Sequence, residues 1–363
     1  MDNPDFKYMA QALKLARRGR FTTDPNPSVG CVLVKDQQII AEGWTQRAGQ
    51  AHAEVHALSQ TDQAQGATAY VTLEPCHHQG RTGPCTEALI KAGIVRVVIA
   101  MQDPNPLVAG KGIKGLSEAG IEVVTGVLTE EAKTLNHGFF KRMQTGLPWV
   151  RSKLAMSLDG RTALANGKSQ WITSQASRAD VHCYRAASSA VLTGISTVLA
   201  DDPGLDARVE FDCEAPVKVI LDTHLRLPIT AKILQTPGDV WIFTVNDHAI
   251  DQIRQFENLG CRVFFVGKQH ESLDLADVFA ELGRQQINTV WVEAGARLNA
   301  SLLRSGLVDE WLFYMAPSLL GDRGRGLFEL PELTEMSQKT SLSLKNCRQI
   351  GPDLRLTFIH TEA

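Results

Sequence analysis

Residues 69–85 read AYVTLEPCHHQGRTGPC, and His52-Ala53-Glu54 stands a short way upstream. The apolar run Val71–Leu73 is typical of a strand, Pro75-Cys76 follows it, and Cys85 begins a helical pattern. Histidine and cysteine thiolate are good zinc ligands, and three protein ligands leave the fourth position for water, as in catalytic zinc sites. The pattern therefore predicts a zinc site made of His52, Cys76 and Cys85.

Glu54 supplies the acid–base group that such a site needs. It lies two residues after His52, so it can face the same pocket without binding the metal. A carboxylate there can take a proton from water activated by zinc and return it to a leaving amine. Cys85 opens its helix, where the helix dipole stabilises a thiolate.

Other histidines compete for the role of ligand. His56 is four residues after His52, as in the zinc proteases, but Ala53 stands where that protease motif has its glutamate. We therefore expect His56 to pack near the site. We expect His77 and His78 to be loop residues near the substrate.

The joint pattern resembles the zinc-dependent cytidine-deaminase-like superfamily, whose signature is H-x-E followed by P-C-x-x-C. Here eight residues, 77–84, separate the cysteines instead of two. That insertion, together with DPNPSVG at residues 24–30, resembles the deaminase half of the bifunctional riboflavin-biosynthesis deaminase–reductase family. The resemblance assigns Asn26 to the substrate ribose. Arg81 is a candidate for the substrate phosphate, and a solvated loop charge is the alternative.

The surrounding pattern alternates helices with short strands. Asn3-Pro4 predicts a helix start, and apolar residues from Phe6 to Ala16 follow helical spacing. Val29–Val34 and Ile39–Trp44 predict a hairpin. Further on we predict helices at 53–58, 86–92, 116–119 and 130–142, and strands at 69–73, 96–100 and 121–125. This order predicts an α/β sheet covered on both faces.

Gly146-Leu147-Pro148 is the predicted domain boundary, so we expect a deaminase domain over 1–146 and a reductase domain over 147–363. In the second domain the strands are predicted at 150–155, 190–193, 217–221, 240–245, 262–266, 289–292 and 310–316. Helices are predicted near 177–187, 273–282 and 298–304, and Asp353–His360 is predicted as an edge strand.

The second domain carries polar residues at strand ends, where α/β sheets collect ligands. Residues 153–163, 169–172 and 197–203 resemble the reductase half of the same family, which is similar to dihydrofolate reductase in fold and uses NADPH. The resemblance places the following residues at the cofactor: Ala155, Trp171, Thr197, Asp201, Thr223, Gly295, Ala296, Arg297, Leu298, Asn299, Ala300 and Ser301. It places these at the substrate: Ser169, Arg185, Leu205, Arg208 and Glu293.

Two details of this half depend on backbone geometry and placement. The family pattern Glu-Gly-Gly reads Glu293-Ala294-Gly295 here, and an alanine would crowd the cofactor if that position required positive φ. Asp201 is the nearest candidate for the acid of the reduction.

The stretch GKGIKG at 110–115 matches the dinucleotide fingerprint G-x-G-x-x-G. Nine residues separate it from the preceding strand, whereas a Rossmann fingerprint opens its helix directly after the strand. We interpret it as a glycine loop before a helix.

Composition limits the remaining possibilities. The chain has 363 residues, 44% of them hydrophobic, a net charge of −3 and seven cysteines. The apolar content suffices for two cores, and the charge does not favour nucleic acid or membrane surfaces. We see neither a signal peptide nor a run long enough to cross a bilayer, so we expect reduced thiols and a cytoplasmic location. We also expect a homo-oligomer.

We therefore predict a bifunctional enzyme of riboflavin synthesis. Its first domain would use Zn²⁺ to deaminate a diaminopyrimidinone ribosylamino 5′-phosphate, and its second would use NADPH to reduce the ribosyl chain to ribityl. Three alternatives stay open: a deaminase with an inactive second domain, a deaminase of nucleic acids, and a structural zinc module. The second of these would require a basic face.

Overall fold

The computed structural model describes residues 3–77, 83–106 and 108–360. They form two compact units divided between Leu147 and Pro148, one residue after the predicted boundary. Each unit has its own mixed sheet flanked by helices. None of the described helices is long and apolar enough to cross a bilayer.

The first unit has six helices and five strands among its described residues. In chain order they are α1 (Pro4–Ala16), β1 (Gly30–Lys35), β2 (Gln38–Trp44), α2 (Ala53–Leu58), β3 (Thr68–Val71), α3 (Cys85–Lys91), β4 (Arg96–Ile99), α4 (Lys111–Glu118), β5 (Glu122–Thr125), α5 (Thr129–Leu135) and α6 (His137–Thr145). The sheet order is β2-β1-β3-β4-β5; β1 is antiparallel to β2 and β3, and the others are parallel.

The sheet of this unit is buried on both faces, as the uninterrupted apolar runs predict. Along β1, Cys31 and Leu33 pack into one apolar cluster, while Val32 and Val34 pack into the other. This alternation follows from the two-residue period of a strand. Helix α1 begins as predicted, because the side chain of Asn3 accepts a hydrogen bond from the Asp5 amide at 3.0 Å.

The second unit contains the larger sheet. Its elements are β6 (Trp149–Ser157), β7 (Arg161–Ala163), α7 (Gln175–Ala186), β8 (Ala190–Gly194), α8 (Ile195–Asp201), β9 (Val217–Leu221), β10 (Val240–Thr244), α9 (Ile250–Asn258), β11 (Arg262–Phe265), β12 (Lys268–Gln269), β13 (Ser272–Leu273), α10 (Leu275–Arg284), β14 (Thr289–Glu293), α11 (Ala296–Ser305), β15 (Glu310–Ala316), β16 (Arg325–Gly326), β17 (Leu342–Ile350) and β18 (Asp353–His360). The nine-stranded sheet has the order β11-β10-β9-β8-β14-β6-β15-β18-β17, with only the last two strands running antiparallel to their neighbours.

Three predictions about elements are wrong. The helix predicted over 130–142 is two helices, because Asn136 turns its side chain to the backbone of Ser28. Asn136 Oδ1 accepts from the Ser28 amide at 2.8 Å, and its Nδ2 donates to the Ser28 carbonyl at 2.9 Å. Strand β18 is internal; the edge is β17, which is mostly exposed and therefore shows no apolar alternation.

The third correction concerns the glycine stretch at 110–115. Gly110 is the N-cap of α4, and Gly112 and Gly115 lie inside that helix instead of in a loop. The sequence also leaves α8 and α9 unpredicted. Each is short and buries only two side chains.

Candidate metal centre and cavity

The predicted metal ligands come together at one end of the first sheet, where β1 begins and β2 and β3 end. Gly30 at the start of β1 pairs with Trp44 at the end of β2, and the Gly30 amide donates to Thr72 Oγ1 just after β3, at 3.1 Å. The chain leaving β2 reaches His52, the N-cap of α2, and the chain leaving β3 reaches Cys76. Cys85 is the first residue of α3.

The three side chains form one cluster whose candidate ligand atoms all lie within 4.8 Å of one another. His52 Nδ1 is 3.3 Å from Cys85 Sγ and 3.6 Å from Cys76 Sγ. A tetrahedral zinc ion with bonds of about 2.3 Å to sulfur and about 2.0–2.1 Å to nitrogen sets such ligands about 3.6 Å apart. The cluster therefore fits zinc.

The electrostatics of the cluster suit a cation and a proton carrier. Hydrogen bonding from Cys85 and from His52 lowers the pKa of Cys76 to about 4 despite partial burial. The same bond to Cys76, together with burial, raises the pKa of Cys85. Glu54 is only 3% exposed; burial and the charge of Cys76 raise its pKa to about 7. A carboxyl that titrates near neutrality is suited to proton transfer.

The structure also places three other residues that were predicted near the metal site or the substrate. His56 Nδ1 accepts from the Trp44 amide at 3.3 Å, and its ring lies against Trp44, as expected for packing. His77 Nδ1 is 2.9 Å from Thr86 Oγ1. Asn26 is half-buried in the segment that leads into β1 at this same end of the sheet. Arg81 and His78 lie outside the described residues.

The second unit contains a cavity of about 2190 Å³ at the carboxyl ends of its parallel strands. It is lined by nearly all residues predicted for this half: Ala155, Ser169, Trp171, Arg185, Thr197, Asp201, Leu205, Arg208, Thr223, Glu293, Gly295, Ala296, Arg297, Leu298, Asn299 and Ser301. The exception is Ala300, which is buried at 1% exposure on the inner side of α11 and is absent from the lining.

Arg185 and Glu293, both expected to face the substrate, form an ion pair in the cavity wall. The guanidinium donates to both carboxylate oxygens, at 2.6 and 2.9 Å, and also to the Asp206 carbonyl at 3.0 Å. Trp291 Nε1 donates to Glu293 at 2.9 Å. Burial would raise the pKa of Glu293, but the charge and hydrogen bonds of Arg185 outweigh it and lower that pKa to about 2.

Family models match both units. The model "Cytidine and deoxycytidylate deaminase zinc-binding region" matches residues 2–101, and "RibD C-terminal domain" matches residues 148–356. The Riboflavin biosynthesis protein RibD of Escherichia coli is 49% identical, covering 98% of this chain and 99% of the relative. That of Haemophilus influenzae is also 49% identical, covering 98% and 97%. The chain belongs to the RibD family.

Solved RibD structures have the same fold. Acinetobacter baumannii RibD, form 1, superposes with a TM-score of 0.92 at 48% identity over 99% of both chains. A diaminohydroxyphosphoribosylaminopyrimidine deaminase/5-amino-6-(5-phosphoribosylamino)uracil reductase from Thermotoga maritima gives 0.86 at 32% identity, covering 98% of this chain and 99% of that one. The predicted cytidine-deaminase-like and dihydrofolate-reductase-like folds are confirmed. This RibD family member is a bifunctional enzyme of riboflavin biosynthesis, a zinc-dependent deaminase and an NADPH-dependent reductase.

The turn after β14 accommodates Ala294 without backbone strain. Ala294 is not among the residues with positive φ, so its methyl group causes no backbone strain. Asn299 stabilises the turn: its Nδ2 donates to the Ala294 carbonyl at 2.9 Å and its Oδ1 accepts from Ser152 at 2.7 Å. The side chain of Asn299 is therefore engaged by the protein, and its backbone amide donates to the Gly295 carbonyl at 3.1 Å.

Lys153 and Arg178 are among the cavity residues of this RibD family member that were not predicted from the sequence. Lys153 lines the cavity from the middle of β6, where it pairs with Glu293 at the end of β14. Burial, with a smaller contribution from Arg185, lowers its pKa despite the opposing charge of Glu293. Arg178 lies 4.4 Å from the ring centre of Trp171, which is 69% exposed.

Proposed function

We propose that the first unit hydrolytically deaminates 2,5-diamino-6-ribosylamino-4(3H)-pyrimidinone 5′-phosphate. We propose that the second then reduces the ribosyl side chain with NADPH, giving 5-amino-6-ribitylamino-uracil 5′-phosphate. The observation that carries the proposal is the cluster of His52, Cys76 and Cys85 with buried Glu54 beside it. The Thermotoga maritima relative is named for the same two activities, which supports the proposal.

In the deaminase, His52, Cys76 and Cys85 would hold the zinc ion. When bound, zinc supplies Lewis-acid activation of water. Glu54 takes the proton released as water attacks the carbon that bears the amine, and it delivers a proton to the departing ammonia. Asn26 binds the ribose from the loop before β1, and Arg81 meets the phosphate.

In the reductase, the residues lining the cavity would hold the cofactor and the substrate, and NADPH would supply the hydride when bound. The residues proposed to contact the cofactor are Ala155, Trp171, Thr197, Asp201, Thr223 and 295–301 without Ala300. Ser169, Leu205, Arg208 and the Arg185–Glu293 pair contact the substrate. Because Arg185 holds both oxygens of Glu293, its proposed part is to aim that carboxylate at the sugar hydroxyls, with Lys153 beside it. Asp201 is the proposed acid.

We further propose that the protein is a cytoplasmic homo-oligomer. All seven cysteines are free thiols, which supports a reducing compartment. The segment 319–344 of the second unit exposes Leu319, Leu330, Leu333, Met336 and Leu344, a density of apolar side chains that favours association with another copy. Sedimentation equilibrium tests this, and a monomer at micromolar concentration would refute it.

The test of function is mass spectrometry of the products made from the diaminopyrimidinone substrate, with and without NADPH. Exchange of the amine for oxygen without NADPH, and a gain of two hydrogens only with it, is the expected result. Chelation of zinc should abolish the first change and leave reduction of the deaminated compound intact. Exchange without any reduction would overturn the reductase proposal, and no exchange in zinc-loaded protein would overturn the deaminase proposal.

A further inference from the structure

A buried carboxylate outside the ligand set holds the chain beside the metal centre. Glu74 is 3% exposed and lies two residues before Cys76. Its Oε1 accepts from the amides of Gly112 and Ile113 at 2.9 and 3.1 Å. Its Oε2 accepts from the amides of Asp103 and Gly110 at 3.2 and 3.0 Å. One carboxylate thus joins the segment that carries Cys76 to the first turn of α4.

The glycines of α4 make this approach possible. A Cβ atom on Gly112 would lie 2.1 Å from the Pro75 carbonyl oxygen, and one on Gly115 would lie 2.6 Å from Cε1 of the His77 ring. Only a residue without a side chain can approach a backbone oxygen this closely, since real Cβ atoms do not come so near. The stretch that matches a dinucleotide fingerprint therefore packs helix α4 against the residues on either side of Cys76.

The backbone of the segment is held at both ends. The Glu74 amide donates to the Met101 carbonyl at 3.0 Å, and the Cys76 carbonyl accepts from the Thr86 amide at 3.2 Å. Cys76 Sγ itself accepts from the Cys85 amide at 3.4 Å. The segment around Cys76 is thus hydrogen-bonded to the residues after β4, to α3 and to α4, and Glu74 makes the bonds to α4.

We infer that Glu74 is a positioning residue for the deaminase: it holds Pro75 and Cys76 against α4 so that Cys76 Sγ stays in place to bind the metal. The inference rests on the proposed function of the metal centre. Groups that orient metal ligands typically change metal affinity or activity about 10- to 100-fold when they are altered. All four partners of Glu74 are N–H donors, so charge and acceptor number both matter.

The variant Glu74→Gln keeps the size of the side chain and replaces one acceptor oxygen with an NH₂ group that faces two N–H donors. We expect zinc affinity, measured by competition with a chelator, to fall about 10- to 100-fold. We expect the deaminase kcat to fall even with saturating zinc, and the absorption spectrum of the Co²⁺-loaded protein to change. The matched control is Glu87→Gln, which removes an exposed carboxylate two residues after Cys85.

Reduction of the deaminated compound should stay within about twofold of wild type, because the second unit carries it out and Glu74 lies in the first. Wild-type zinc affinity and an unchanged Co²⁺ spectrum in Glu74→Gln would overturn the inference, even if the variant were less stable. A shift in both, in a protein whose wild type deaminates nothing, would support the inference and refute the proposed function instead.

Gly112→Ala tests the same junction if Glu74→Gln does not fold. Its methyl group must push α4 away from the Pro75 carbonyl, so we expect the same loss of zinc affinity and the same change in the Co²⁺ spectrum. Ser117→Ala, at an exposed position of the same helix, is its control. Unchanged metal binding in Gly112→Ala would also overturn the inference.

Discussion

The metal centre and the cavity assemble their residues in different ways. The candidate ligands and Glu54 lie within residues 52–85, on chain segments at one end of one sheet. The lining of the cavity runs from Lys153 to Glu329 and includes pairs such as Arg185 and Glu293, which are 108 residues apart. A short motif defines the first site, whereas the second depends on the packing of a whole unit. We therefore expect a substitution in the first site to change one property, such as turnover, and to leave the others intact. In the second site we expect stability and activity to change together.

The largest expected effect tests how separable the first site is. Glu54→Gln removes the proton carrier and keeps the ligands, so the deaminase kcat should fall about 10²- to 10⁴-fold. Zinc content and the reductase rate should not change, and product mass spectrometry with metal analysis checks all three. Retained turnover would show that another group moves the proton.

Coupling in the second site is tested by Arg185→Leu. The change leaves the Glu293 carboxylate in the cavity wall without its cation, which typically costs about 3–5 kcal/mol for a buried pair. Urea unfolding should show this loss, together with loss of reduction. Arg185→Leu with Glu293→Leu should recover stability without activity. A single variant as stable as wild type would mean that the pair does not hold the wall.

The same pair predicts a pH dependence. The pKa of Glu293 is about 2 when folded, against an ordinary value of 4.5, so between these values the unfolded chain binds a proton that the folded chain does not. The stabilisation is present above about pH 4.5 and is lost as pH falls toward 2; it amounts to about 3 kcal/mol. Urea unfolding of wild type and Glu293→Gln from about pH 2.5 to about pH 7 should show their difference shrinking as the pH falls through that window. If the difference in unfolding free energy between the two proteins did not change with pH, the result would contradict this prediction.

The smallest effect concerns the departure from the family glycine. Since Ala294 does not have positive φ, Ala294→Gly relieves no strain and should destabilise the protein by about 0.4–1 kcal/mol through the unfolded chain. Reductase kcat and KM should stay within about twofold. A large gain in affinity for NADPH would instead show that the methyl group crowds the cofactor.

The local sequence pattern was sufficient to predict several elements that bury a regular stripe of apolar side chains. The hairpin of β1 and β2, helix α2, and strands β9 and β15 lie at or within a residue or two of their predicted positions. Prediction was wrong where a hydrogen bond to a residue distant in the sequence determines the backbone conformation. Asn136 divides α5 from α6 because it bonds Ser28, 108 residues away, and no local signal reveals that partner.

The sequence by itself pointed to the candidate metal ligands, to Glu54 and to the two α/β units, because the motif residues are close in the chain and the apolar periods are local. Their proposed roles stay predictions. Only the tertiary structure decided that Arg185 pairs with Glu293, that Ala300 is turned away from the cavity, and that Glu74 ties Cys76 to α4. Those relations depend on hydrogen bonds and close packing between residues far apart in the chain, and neither spacing nor composition records them.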